Sequence, residues 1–210
     1  MQNQLALSVE DQKLNDVWDE HLRSEFDAHS ADKALATMVE NPRVNAVPVV
    51  IGGDGQKKVY EFYAKYFLRQ IPPDTEMVPV SRTIGQGRVV EEMIFRFTHS
   101  IQMDWILPGI PATGKRVEIA LLVVVQFDGD RLAHEHVYWD QASVLVQVGL
   151  LHRNGLPVVG AESARSLLDR RVPLNELLRR AEMLHSSNAR KRKRNDARRV
   201  ATAGSRSVAA

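Results

Sequence analysis

The 210-residue sequence predicts an α+β domain on three observations. Apolar residues recur at helical spacing as far as about residue 70, β-rich runs joined by glycine-bearing turns fill 75–140, and helical spacing returns only after that. Helices first and strands afterwards predict segregated packing, whereas a parallel sheet would need alternating βαβ units.

The first helix is predicted through VEDQKLNDVWDEHLRSEFDAH, with the Ser8 hydroxyl as its cap and Leu14, Trp18, Leu22 and Phe26 as its buried stripe. At about 100° per residue, Trp18, His21, Leu22 and Glu25 share roughly one third of the circumference, so His21 and Glu25 can pair and point inward. The plainer alternative leaves both solvated at the stripe's margin. Ser30 can cap a second helix, ADKALATMVE, which the Asn41-Pro42 step ends because proline disfavours a helical residue before it. NAVPVVIGG reads as a short strand entering a glycine turn. A third helix, QKKVYEFYAKYFLRQ, sets Val59, Phe62, Tyr63, Tyr66 and Phe67 on one face.

Four strands follow: TEMVPVSRTIG, RVVEEMIFRFTHSIQM, RVEIALLVVVQF and RLAHEHVYWD. The connections GQG, LPGIPATGK and DGD suit antiparallel turns. Val144, Leu145, Val148 and Leu151 then predict a short closing helix, and two more are expected over 162–170 and 174–185. The organisation expected is a domain over 1–151, a helical extension over 152–185 and a disordered basic tail over 186–210.

Composition narrows the function. There are no cysteines, which excludes a disulfide framework, thiolate metal ligands and a cysteine nucleophile. No G-x-S-x-G elbow is present to suggest a serine hydrolase. No apolar run reaches the roughly 18 to 20 residues of a membrane span, and MQNQLALSVEDQ lacks the pattern of a secretion signal, so a soluble, unsecreted, cytoplasmic protein is expected. Residues 186–210 hold eight Lys/Arg against Asp196, a balance of +7 in a chain of net charge +2, so residues 1–185 carry −5. An acidic body argues against nucleic-acid binding by the folded domain. Any such role falls to the tail, where RKRKR reads as a nuclear-import or polyanion-binding segment, or simply as a solubilising one.

The order of elements, together with LPGIPATGKRVEI, GDRLAHEHVYWDQASVLVQVGLL, PRVNAVPVVIGG and RFTHSIQMDW, resembles the SnoaL-like polyketide cyclase branch of the nuclear transport factor 2-like superfamily. The resemblance covers about residues 9–151. It implies a cone-shaped domain, with N-terminal helices packed on a strongly curved antiparallel sheet around a deep apolar pocket, usually within a homodimer. It implies metal-free chemistry without a cofactor. The superfamily also holds dehydratases, isomerases, epoxide hydrolases and noncatalytic binders, so a hydrophobic-ligand carrier or an interaction module stays open beside an enzyme.

Strand alternation sets His134, His136, Tyr138 and Asp140 on one face and Glu135, Val137 and Trp139 on the other. In the SnoaL-like cyclases the aspartate at the position of Asp140 serves as the acid/base, and the resemblance accordingly assigns the whole polar row to the pocket. Val137 and Trp139 are then expected outside, at a dimer contact. In an earlier strand, RVVEEMIFRFTHSIQM, His99 lies in an apolar row with Phe95 and Phe97, where burial favours a neutral imidazole; the plain alternative is a core histidine satisfied by backbone. Asp104 lies at the pocket mouth or caps a turn. The expected site is therefore Asp140, His136 and His99 as the catalytic groups, with Trp18, His21, Glu25, Phe95, Phe97, Asp104, His134 and Tyr138 against an apolar, carbonyl-bearing substrate. A rival set, His134 and His136 with His99 or Glu25, has the donors for zinc or iron. One departure stands out: similar sequences lead us to expect a histidine near Ala46.

Overall fold

The structure, a computed structural model, describes residues 7–206. It divides into two units, 1–170 and 171–210. In the first, helix α1 (Val9–Phe26) is capped as expected, the Ser8 hydroxyl accepting the Asp11 N–H at 3.0 Å. Helix α2 (Ala31–Ala36) starts at Ser30 in the same way. It is shorter than predicted, because Met38 already belongs to strand β1 (Met38–Ala46), which turns through Val47–Val50 into β2 (Ile51–Asp54). Pro42, which cannot donate to a ladder, falls where the pairing of β1 is irregular. Helix α3 (Gln56–Phe62) continues as a π-helical turn over Tyr63–Phe67 and a 3₁₀ turn over Leu68–Gln70.

Strands β3 (Glu76–Gly85), β4 (Arg88–Thr98), β5 (Arg116–Asp128) and β6 (Arg131–Tyr138) fall in the four predicted runs. The curved, unclosed sheet has the order β2-β1-β6-β5-β4-β3, so the α+β class is as read from the sequence. One pairing corrects the antiparallel expectation: β1 and β6 run parallel, since the helices between them carry the chain back to the same end. Helix α1 is fastened to the sheet by Arg82 on β3, whose guanidinium donates to Asn15 and Asp19 at 2.7 Å and to Glu91 on β4 at 2.9 to 3.0 Å. Helices α4 (Gln141–Gln147) and α5 (Glu162–Leu168) pack on β5.

The second unit holds α6 (Glu176–Arg206). Where a disordered tail was expected from residue 186, α6 runs as far as Arg206: arginine, lysine and alanine are strong helix formers, and no glycine occurs within the helix before Gly204. Residues 182–192 are all exposed. The last four residues of the basic tail lie outside the described residues. Among the described residues no helix is long and apolar enough to cross a membrane.

Candidate functional site

Strand β6 is where the structure departs most from the sequence reading. Phe127 pairs with Leu132 but Gln126 pairs with His134, so Ala133 is an extra residue opposite an unbroken β5. Such a bulge reverses the parity of everything after it. Leu132 is buried before the bulge; beyond it Glu135 is buried and Val137 faces the interior, while His134, His136 and Tyr138 turn to the outer face. The polar row assigned to the pocket is therefore outside it, and Glu135 and Val137, expected outside, line it.

The interior row faces a cavity of about 50 Å³. Helix α1 supplies Trp18, Leu22, Glu25 and Phe26, and the α3 segment supplies Phe62, Tyr63 and Phe67. The sheet supplies Phe95, Glu135 and Val137, and Trp105 closes one side. Glu25 and Glu135 are the charged residues of this lining. An engineered apolar cavity of roughly 150 Å³ takes benzene, so a ring-sized ligand here needs rotatable walls to move. Met77 and Met93 are two such walls.

A buried polar cluster sits at one end. His21 Nε2 lies 3.3 Å from Glu25 Oε1, 3.8 Å from Glu135 Oε2 and 3.2 Å from the Tyr63 hydroxyl, which is 3.4 Å from Glu135 Oε2. The Thr37 hydroxyl donates to the Ala34 carbonyl at 2.7 Å, so it can only accept from His21 Nδ1, also at 2.7 Å. That fixes Nδ1 as the protonated nitrogen and aims Nε2 at the carboxylates. Burial opposes charge on His21, yet the two glutamates outweigh it and raise its pKa to about 10. Burial and the charge of Glu25 push the Glu135 carboxyl up, with His21 and Tyr63 pulling the other way. Burial and the same carboxylates hold the Tyr63 phenol well above its ordinary range, so it stays a neutral donor. Tyr63 begins the π-helical turn, an irregularity frequent at functional sites.

Of the expected site residues, Trp18, Glu25 and Phe95 line the cavity and His21 stands behind it; Phe97 is buried against Phe95 without lining it. The others are placed elsewhere. Asp140 is exposed and caps α4, its Oδ1 accepting the Ala142 N–H at 2.9 Å. His99 staples the loop between β4 and β5: its Nδ1 accepts the Thr113 N–H at 3.3 Å, and its buried Nε2 has no hydrogen-bond partner. Burial lowers its pKa. Asp104 ties that loop to the end of α3, accepting from Gly109, Gln102 and Gln70, which hold its pKa low. His134 and His136 are neighbours on the outer face, with ring centroids 4.9 Å apart, and Tyr138 is 39% exposed there. Trp139, expected outside, is buried and meets Trp105 edge to face. The rival metal set is not assembled, because its two histidines and Glu25 lie on opposite sides of the sheet. Glu135 and Tyr63 are the functional candidates that the sequence reading missed. The one signal for Glu135 was its place in the row opposite the histidines, and Tyr63 was hidden in a stripe of core aromatics.

No family model and no curated protein matches the chain. Solved structures do. A candidate SnoaL-like polyketide cyclase from Jannaschia sp. CCS1 is similar with a TM-score of 0.58 at 15% identity, covering 70% of this chain and 99% of that one. AclR from Streptomyces galilaeus, described as a candidate hydroxylase, is similar at 0.52 and 14% identity, over 68% and 88%. An NTF2-like protein of unknown function from Burkholderia pseudomallei reaches 0.50 at 15% identity, over 65% and 97%.

Proposed function

The chain carries the fold of the nuclear transport factor 2-like superfamily, and from that premise we propose that it is an enzyme performing general acid/base chemistry on a small apolar, carbonyl-bearing molecule. The observation that carries this reading is the pair Glu25 and Glu135, with the Tyr63 hydroxyl and His21 among them, at one end of an otherwise apolar, aromatic cavity. Glu135 is the group to accept and return a proton, the Tyr63 hydroxyl the donor to a developing oxyanion, and His21 the counter-charge that keeps the carboxylates together. The rings exclude water and so strengthen each of these interactions. Ring closure, double-bond migration, dehydration and epoxide opening use the same parts, and the candidate cyclase among similar folds fits that range.

Glu135→Gln keeps size and removes the base, so turnover of a polyketide, lactone or epoxide substrate should fall about 10² to 10⁴. His136→Gln, on the other side of the sheet, should leave turnover unchanged. The reverse result would show that the outer row does the chemistry. One observation favours a noncatalytic carrier as second reading: Ala46, where a histidine was expected, is buried and lines the cavity. Saturable binding without product from any of these substrate classes would select it. The expected homodimer is likewise a proposal, and its surface moves to the outer row, where Leu122 and Tyr138 pair directly and are 37% and 39% exposed.

A further inference from the structure

The geometry points to a divalent metal site of the first-row transition type, zinc or a close relative, formed by His21 Nε2 and the carboxylates of Glu25 and Glu135 at the inner end of the cavity. This rests on reading that cluster as the working end of the pocket, and it departs from the metal-free chemistry implied by the sequence resemblance.

Spacing is the first argument. Charge-assisted hydrogen bonds run about 2.7 to 2.9 Å. Yet His21 Nε2 stands 3.3 Å from Glu25, 3.8 Å from Glu135 and 3.2 Å from the Tyr63 hydroxyl, and that hydroxyl stands 3.4 Å from Glu135. The two contacts of His21 with the carboxylates are longer than such a bond. The His21–Glu25 distance is that of two ligand atoms on one ion: bonds of about 2.0 to 2.1 Å in a tetrahedron separate the ligands by about 3.3 Å, and Glu135 would have to close in by about half an ångström. The donor atoms of His21, Glu25 and Glu135 all lie within 4.8 Å of one another, and all three residues are buried.

The second argument is the support behind His21. A metal-ligating histidine typically donates its other ring N–H to an acceptor that fixes tautomer and ring orientation. Thr37 does this, its own proton committed to the Ala34 carbonyl. Three protein ligands with the remaining position toward a cavity is the pattern of a catalytic rather than a structural site. When bound, such an ion would supply a Lewis acid or an acidified water beside the substrate, and that water, rather than the ligated Glu135, would then be the proton-transferring group. Tyr63, next to the ligands, would donate to Glu135 or to that water.

The test is metal uptake by the full chain. Protein stripped with chelator and titrated with zinc should take up about one ion per chain, measured by elemental analysis after desalting. Cobalt in its place should give the visible absorption of a four-coordinate centre. Glu25→Gln and His21→Gln should abolish uptake, and Thr37→Val, which leaves the ligands and removes only their support, should weaken it about 10-fold to 100-fold. His136→Ala should keep the metal, separating this site from adventitious binding at the outer histidine pair. Wild-type protein that takes up no stoichiometric zinc or cobalt overturns the proposal even if the ligand variants fail to fold. Uptake that survives Glu25→Gln and vanishes in His136→Ala overturns it too. Uptake without turnover would leave the metal site standing and sink the enzyme reading. Turnover by fully stripped protein that takes up no metal would do the opposite.

Discussion

Arg82 decides how Trp18 meets the pocket. It joins Asn15 and Asp19 on α1 to Glu91 on β4, and Glu91 in turn accepts the Trp18 indole N–H. Glu91 is buried, so Arg82→Met would leave a carboxylate without its counter-ion. The cost should approach about 3 kcal/mol, the lower end for stripping one partner from a buried pair. Arg23→Ala breaks an exposed pair with Glu20 and should stay within about 0.5 kcal/mol. Urea unfolding of the two variants checks the contrast. Asp140→Ala belongs to the same scale: losing the α4 cap should cost about 1 kcal/mol while turnover persists. Caps and catalytic carboxylates use the same residue types beside helix starts, so sequence could not separate the two roles for Asp140. His99 and Asp104 were obscured for a related reason, since what employs them is a loop whose path only the folded chain defines.

At the scale of elements, α1, its stripe and all four long strands were legible, because periodicity and turn chemistry are local. Which face of β6 looks inward was not. Alternation reports two rows and is silent on which is inside, and the single residue that settles it, Ala133, has no local signature. Deleting Ala133 should restore strict alternation from Leu132 and leave Glu135 and Val137 inward, with His134 and His136 still outside. We expect a folded protein, judged by circular dichroism and soluble yield. A deletion variant that does not fold would show that the bulge itself, and not only the face it selects, is needed. The entry to α5 carries a pH dependence of its own. Arg153 first, with the Gly160 N–H, holds the Glu162 carboxyl down to about 2 from its ordinary 4.5. The stability from this tie is present above about 4.5 and is lost as pH falls toward about 2. Both side chains are nearly half exposed, so the effect should be under about 1 kcal/mol. Melting of wild type and Glu162→Gln should differ at pH 6 and converge near pH 2.

For the molecule as a whole, deleting residues 187–210 should change stability by no more than about 0.5 kcal/mol, since the side chains described there are exposed. Tyr138→Glu should give monomers by light scattering with the pocket intact; a dimer that survives it would move the proposed contact elsewhere. The parallel neighbour of β1 has a further consequence, one of timing. Val44 pairs with Glu135, about 90 residues later, and Tyr63 waits 72 residues for the same glutamate. During synthesis the β1–β2 hairpin emerges first and stands with an unpaired edge until β6 has left the ribosome. Contacts of such sequence separation are slow to close. The last strand therefore seals the sheet and completes the cluster in one late event, and a nascent chain whose first 70 residues have all taken their helices and hairpin still has no pocket.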